Sequence, residues 1–244
     1  MRLVIGACLA LMRIGNLGAQ TPSAAPAATL AEWRTELGEI VRDIRTLHPD
    51  PFARVGSTTF RRQVRTLEEA LPSLSDEQRI TAAMKLVASL GDGHTYLEMA
   101  EPRYAKWYPI RLYEYTDGYF IVSAHKSAGE LAGAQVLEIA RRPVAEVAAA
   151  ARTVMAAEND FMRLERVYPL HSATVMKGLG YASADGRLAI RAKLADGRTV
   201  DRVLVPAQAD HPRFKDDASW EWQFRPSLYG TPAIPTFFRS FNSH

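Results

Sequence analysis

Cysteine is nearly absent from this sequence, because Cys8 is the single cysteine among 244 residues. A disulfide within the chain needs two cysteines and a thiolate zinc site needs several, so this chain can build neither. Cys8 also lies in an N-terminal segment that we expect to be removed, which leaves the mature chain without a cysteine nucleophile. Cysteine content therefore excludes thiolate chemistry and gives no information on the redox compartment.

An excess of charge of one sign is also missing. The chain has 30 Lys and Arg residues against 27 Asp and Glu residues, a formal net charge of +3, and its longest basic runs are pairs such as Arg61-Arg62. Nucleic-acid binding relies on clustered basic side chains that neutralise several phosphates. We therefore expect no nucleic-acid partner.

Other patterns that carry chemistry are missing too. After the N-terminal segment, no stretch reaches the roughly 18 apolar residues of a membrane-spanning helix. No two of the six histidines lie three to five residues apart, and no serine has glycines two residues to either side. These absences argue against a membrane span, a local metal site and a nucleophile elbow, so we predict no metal and no cofactor.

The N-terminus has the features of an export signal. Arg2 precedes an apolar run from Leu3 to Met12, and Gly18-Ala19 offers small residues for cleavage. We predict a signal peptide over residues 1–19, a flexible Pro- and Ala-rich leader over residues 20–28, and an exported protein, either periplasmic or extracellular.

Three helices are predicted next. Thr29 with Glu32 and Ser75 with Gln78 form capping-box patterns. Apolar residues then recur at helical spacing, as in Trp33, Leu37, Ile40 and Ile44, in Phe60, Val64 and Leu67, and in Ile80, Ala83 and Val87. We predict a helical domain over residues 29–95, with these stripes as its core and not a cofactor site.

After Thr95 the apolar period changes to two. Strand-like runs flank Asp117-Gly118 and Asp196-Gly197, a typical signal for β-hairpins, and a helical pattern follows Pro143. The mixture predicts an α+β fold, with a β-rich module that contains a helix over residues 105–207. Residues 208–244 are aromatic without a clear period, and we interpret them as the truncated start of a catalytic domain or as an unpacked tail.

One motif resembles a known family. Gly91, Asp92, Gly93, His94 and Thr95, directly after the helices, resemble the signature of the tail-specific, or C-terminal processing, serine peptidases. Further matching runs follow in the same order: Tyr108 to Leu112, Asp117 to Val122, Leu131 to Ile139, and Arg142 to Val144. The resemblance covers about residues 30–207 and implies that the β-rich module is PDZ-like.

The family resemblance implies proteolysis of protein or peptide substrates by a serine nucleophile with a lysine base. In the family those two residues lie in a downstream domain, so we assign no catalytic residue here and expect the chain to be inactive by itself. Ala140-Arg141 also stands where the family has a turn of Asn-Gly. The alternative is an exported, non-enzymatic module that binds peptides along a strand edge. The sequence does not indicate an oligomeric state.

Two serine–lysine pairs within the chain are candidates for a catalytic dyad. Ser123 and Lys126 match the Ser-x-x-Lys spacing, but they end a strand-like run, where residues three apart point to opposite faces. Ser172 and Lys177 are five apart, which on a helix places them roughly 140° apart. Neither pair is expected to form a dyad.

His94 permits two interpretations. It could be a turn residue whose ring bonds the backbone near a helix end, or it could line a cleft beside a catalytic domain. The first is preferred at this stage, because no partner for acid/base work is evident in the sequence. Asp92 is likewise interpreted as a polar turn residue between two glycines.

Overall fold

The structure is a computed structural model that describes residues 2–5, 28–99, 103–159, 162, 167–208 and 220–222. The helices are α1 Leu30–Leu47, α2 Ser57–Ala70, α3 Asp76–Ala88, α4 Val144–Arg152 and α5 Ala173–Gly178. The strands are β1 Arg2–Ile5, β2 Thr95–Glu98, β3 Lys106–Trp107, β4 Ile110–Tyr115, β5 Gly118–His125, β6 Gln135–Ile139, β7 Arg142–Pro143, β8 Leu188–Lys193, β9 Thr199–Leu204, β10 Ala207–Gln208 and β11 Trp220–Trp222. Helices together with antiparallel strands confirm the predicted α+β class.

Helices α1 and α3 begin where the local sequence signals place them. Thr29 caps α1 and Ser75 caps α3, and both form complete capping boxes that satisfy otherwise unpaired N–H groups. The apolar stripes of α1, α2 and α3 meet in one core that includes Trp33, Ile44, Phe60, Ile80 and Val87. The structure thus contains three helices in this region whose apolar stripes share one core, and their separation as a domain remains a prediction.

The helical core also takes residues from far along the chain. Val154 and Met155, which follow α4, and Val175 on α5 are buried in it. Helix α5 lies so close to α3 that a Cβ added at Gly178 would stand 2.3 Å from the backbone oxygen of Glu77. Helices α3 and α5 consequently pack almost backbone to backbone.

The main sheet has seven strands and a second core on one face. Its order is β11-β5-β6-β8-β9, with β4 also paired to β5 and β7 to β6, and every pairing is antiparallel. The β4–β5 and β8–β9 hairpins form as predicted; Thr116-Asp117 connects β4 to Gly118 at the start of β5, and Asp196-Gly197 lies in the turn between β8 and β9. Buried residues of the strands pack against α4 and α5. That this module is PDZ-like remains a prediction.

The turn between β6 and β7 forms without its usual glycine. Ala140 has φ +51° and Arg141 has φ +62°, so two residues with side chains occupy the left-handed region. Glu138 still pairs with Pro143 and Ile139 with Arg142. The hairpin geometry is kept here at the cost of backbone strain, which is typically about 1–2 kcal/mol for each such residue.

Three short strands use segments near the two ends of the sequence. Strand β1 pairs with β2, β10 pairs with β3, and β11 pairs with the end of β5, where Trp220 stands opposite His125. The predicted signal peptide and the predicted aromatic tail lie for the most part outside the described residues, so both remain predictions. Within the described part of the chain, no helix is long and apolar enough to cross a membrane.

Candidate functional site

The Gly-Asp-Gly-His-Thr motif forms the turn between α3 and β2. Gly91 has φ +75°, a conformation that favours glycine, and its N–H donates to the carbonyl of Ala88 at 3.0 Å. The N–H of Thr95 donates to the carbonyl of Asp92 at 3.3 Å, and β2 begins there. Gly91 thus turns the chain three residues after the last residue of α3, Ala88, and Asp92 and His94 follow close behind it.

Asp92 is the centre of this turn. Its Oδ1 accepts a hydrogen bond from the His94 N–H at 2.9 Å, and its Oδ2 accepts one from Thr95 Oγ1 at 2.5 Å. The same Oδ2 lies 3.0 Å from Nε2 of His48, the residue that caps the C-terminus of α1. Asp92 therefore joins the end of α1 to the end of α3.

These contacts favour the charged form of Asp92. Burial by itself raises the pKa of its carboxyl, but hydrogen bonds from Thr95, the His94 backbone and His48 outweigh burial and lower the pKa to about 2. Asp92 is thus an anion throughout the neutral range. A fixed negative charge stands beside the His94 ring.

The His94 ring faces two carboxylates and is otherwise open to solvent. Its Nδ1 lies 3.6 Å from Oδ1 of Asp92 and 3.5 Å from Oε1 of Glu158, and 65% of its side chain is exposed. The expectation that the chain supplies no partner for His94 is therefore wrong. Its ring faces carboxylates, where the preferred interpretation had it bonding the backbone.

Glu158 reaches this turn from the segment after α4. Its Oε1 accepts a hydrogen bond from the Gly93 N–H at 3.2 Å. A Cβ at Gly93 would stand 2.3 Å from Sδ of Met162 and 3.4 Å from Cγ of Glu158. Met162 and Glu158 therefore pack directly on the second glycine of the motif, and a side chain there would displace the Met162 sulfur.

Sequence reasoning missed His48 and Glu158. His48 lies 44 positions from Asp92, and Glu158 lies 65 positions from Gly93. Neither residue belongs to the motif. The only local signal is that His48 follows the last turn of α1, where a polar residue before Pro49 ends the helix. Nothing in the sequence around Glu158 points to the turn.

Three groups at this turn could share a cation. One ligand atom each from Asp92, His94 and Glu158 lies within 4.8 Å of the others. Both oxygens of Asp92 already accept hydrogen bonds from the chain, and Glu158 accepts one from Gly93. A cation would compete with these donors, and we assign no metal to the turn.

The serine–lysine candidates lie elsewhere in the structure. Ser123 is fully buried on β5, whereas Lys126 is exposed at the start of a 3-10 helix. Ser172 caps α5 by accepting a hydrogen bond from Val175, and Nζ of Lys177 pairs with Glu77 at 2.8 Å. Within the described residues, the ring contacts of His94 are with Asp92 and Glu158, and none is with a serine.

Comparison with known proteins gives a partial structural match. No protein-family profile and no curated protein sequence matches the chain. Solved structures of CPAF, a chlamydial serine protease, match part of the chain. Mature CPAF complexed with lactacystin is 15% identical at a TM-score of 0.48, over 70% of this chain and 35% of CPAF. A CPAF mutant is 16% identical at a TM-score of 0.47, over 84% of this chain and 38% of the CPAF chain.

The chain therefore spans little more than a third of the length of these proteins. Identities this low and TM-scores below one half assign neither a family nor an activity to this chain.

Proposed function

We propose that this chain is one part of an exported serine-type peptidase of the tail-specific family, which acts on proteins or peptides, and that it hydrolyses nothing by itself. The observation that carries the proposal is the exposed His94 ring, whose Nδ1 lies 3.6 Å from a carboxylate oxygen of Asp92 and 3.5 Å from one of Glu158. It stands within the motif on which the family resemblance rests.

The geometry suits His94 to proton transfer. In serine peptidases a carboxylate beside one ring nitrogen orients the imidazole and stabilises its protonated form, while the other nitrogen exchanges a proton with the nucleophile. Here Nδ1 faces the carboxylates, so Nε2 is the nitrogen that would exchange a proton with the nucleophile. Such a residue contributes about 10²–10⁴-fold to the rate of a reaction.

The nucleophile is proposed to come from another part of the complete protein. A serine hydroxyl needs its base within hydrogen-bond reach, and no described serine contacts His94. The chain would thus supply the proton-transfer group and peptide-handling surfaces. Serine-type hydrolysis uses protein groups alone, so the proposal includes no metal and no cofactor.

Activity assays of the whole chain test the first half of the proposal. Purified 1–244 should hydrolyse neither casein nor unstructured peptides above a buffer control, and a fluorophosphonate probe for reactive serines should not label it. Turnover that disappears in the Ser123→Ala variant would overturn the assignment and restore the Ser-x-x-Lys pair.

The second half is tested in the complete reading frame that contains this chain. His94→Ala should lower cleavage by at least about 100-fold without moving the unfolding midpoint, because its exposed ring contributes little to packing. His125→Ala is the matched control, since His125 lies on β5 and bonds Ser127, and it should leave cleavage unchanged. An equal loss in both variants would refute a specific role for His94.

The alternative, a peptide-binding module without activity, is favoured by a different observation. Strand β11 pairs antiparallel with the last residues of β5, Ser123 to His125, beyond the part of β5 that pairs with β6, so this stretch of β5 accepts an added strand. The genomic sequence after codon 244 separates the two functions. A continuous frame that encodes a serine nucleophile supports the peptidase, whereas a stop codon there supports the binding module.

A further inference from the structure

Strand β2 is paired to a segment that the sequence predicts to be removed. Residues 2–5 form β1 and run antiparallel to β2, with Arg2 opposite Glu98, Leu3 opposite Leu97, Val4 opposite Tyr96 and Ile5 opposite Thr95. These two strands form a sheet of their own, separate from the main sheet. The same residues 2–5 belong to the predicted signal peptide over residues 1–19.

The helical core holds β2 in place. Thr95 and Leu97 are buried, at 1% and 2% exposure, and Leu97 belongs to the core formed by the helices. An isolated pair of strands is only marginally stable in water, so β2 owes its extended form to this anchoring. Its outer edge consequently presents ordered backbone N–H and C=O groups to whichever strand lies beside it.

We propose that β2 is a strand-accepting site that binds an extended, mainly apolar peptide antiparallel, and that β1 occupies this site within the chain. The occupant, Arg-Leu-Val-Ile, shows the ligand class: β-branched and aliphatic residues after a basic residue that stands opposite Glu98. Removal of residues 1–19 vacates the site for a peptide from another molecule. The proposal rests on the proposed function only in taking peptides as the partner.

The register also sets the direction of the bound peptide. Ile5 stands opposite Thr95, the residue directly after His94. A peptide in the same register therefore continues, from its C-terminal end, past the turn that holds Asp92 and His94. The strand-accepting site leads its ligand toward the proposed proton-transfer group.

A binding experiment with the full chain tests the site. The probe is a fluorescein-labelled peptide with the sequence of residues 1–7, and the readout is fluorescence anisotropy. In the variant Leu3→Pro with Val4→Pro, β1 loses whichever of these two N–H groups points toward β2, since only one of two adjacent residues pairs with the neighbouring strand. That variant should bind the probe at least about tenfold more tightly than the unsubstituted chain, because a tethered strand competes at an effective concentration near millimolar. The matched control, Leu3→Ala with Val4→Ala, keeps both N–H groups. Its β1 should therefore stay paired with β2, and it should bind the probe no more tightly than the unsubstituted chain does.

The backbone pattern of the bound probe distinguishes strand addition from nonspecific apolar binding. In an antiparallel pair, only alternate residues direct their N–H toward the neighbour. N-methylation at one of the positions Leu3 and Val4 of the probe should therefore abolish binding, and N-methylation at the other should not. The proposal would be overturned by equal effects of N-methylation at the two probe positions. It would also be overturned if the proline variant did not bind the probe, or if the proline variant, the alanine control and the unsubstituted chain bound it equally.

Cross-linking checks the site without relying on the proline variant. In a Cys8→Ser chain, Val4→Cys with Tyr96→Cys should form a disulfide on mild oxidation, because these residues stand opposite each other. Val4→Cys with Leu97→Cys, shifted by one residue, should not, and equal cross-linking of both pairs would overturn the register. All these readouts are independent of hydrolysis, so peptide binding by a chain without activity would leave this inference intact while the peptidase proposal failed.

Discussion

Replacement of Asp92 by asparagine should weaken the fold in a pH-dependent way. The amide of the Asp92→Asn variant has one side-chain oxygen where the carboxylate accepts from the His94 N–H, Thr95 Oγ1 and His48. The pKa of Asp92 falls from 3.8 to about 2 in the folded chain, and one pKa unit corresponds to about 1.4 kcal/mol. The upper bound is then about 2.5 kcal/mol. Because the side chain is 26% exposed, solvent screening reduces our expectation to about 1–2 kcal/mol.

The sign follows from the direction of the shift. The folded state holds the Asp92 proton less tightly than the unfolded state does, so the stabilisation is complete above about pH 5 and disappears as pH falls toward 2. Urea unfolding followed by circular dichroism, at pH 7 and at steps from pH 5 to pH 2.5, measures the free energy of unfolding of both chains. The two chains should differ by about 1–2 kcal/mol at pH 7, and this difference should fall to about a third of that value at pH 2.5.

Asp117→Asn is the matched control for this substitution. Asp117 is exposed in the β4–β5 hairpin turn, where Asp and Asn are both common turn residues. It should change the free energy of unfolding by less than about 0.5 kcal/mol at every pH. A gap between the Asp92→Asn chain and the unsubstituted chain that stays constant down to pH 2.5 would refute the reasoning, since the loss would then be unrelated to the carboxylate charge.

Two further predictions concern backbone positions. Gly178→Ala should lower the free energy of unfolding by about 3 kcal/mol in urea titration, because the added Cβ would lie 2.3 Å from the carbonyl oxygen of Glu77. Gly38→Ala is the control and should instead stabilise the chain, because nothing lies within 4 Å of the added Cβ. Similar losses in both variants would contradict this packing. Arg141→Gly should raise the thermal midpoint, because glycine relieves the strain of φ +62°, and the free energy of unfolding should rise by up to about 1 kcal/mol. Arg142→Gly on β7 is the control and should give no rise. A rise in that variant too would contradict relief of turn strain.

The sequence predicts those parts of the fold that depend on neighbouring residues. Thr29 with Glu32 sets the start of α1 because both groups of the capping box lie within one turn of helix. The short polar stretch Thr116-Asp117-Gly118 marks the β4–β5 hairpin, because it interrupts two strand-like runs and leaves two residues to connect the paired strands. In each case the interacting groups are at most a few residues apart, so the sequence pattern contains the whole interaction.

The candidate site could be predicted only in part, because its contacts join distant segments. The motif locates Asp92 and His94, but their orientation depends on His48 at the end of α1 and on Glu158 after α4. Those contacts exist only after the helices and the β-rich module have packed together. The sequence therefore predicts the place of His94 in a turn but not the carboxylates that its ring faces.

Helix α5 has a consequence for the cooperativity of unfolding. Val175 is buried in the helical core, while its neighbour Met176 is buried in the core of the main sheet. Val154 and Met155 belong to the helical core, whereas Ala151 on α4 belongs to the other. Loss of either core would thus expose apolar surface of the other, so the two sequence-predicted domains are coupled as a single folding unit.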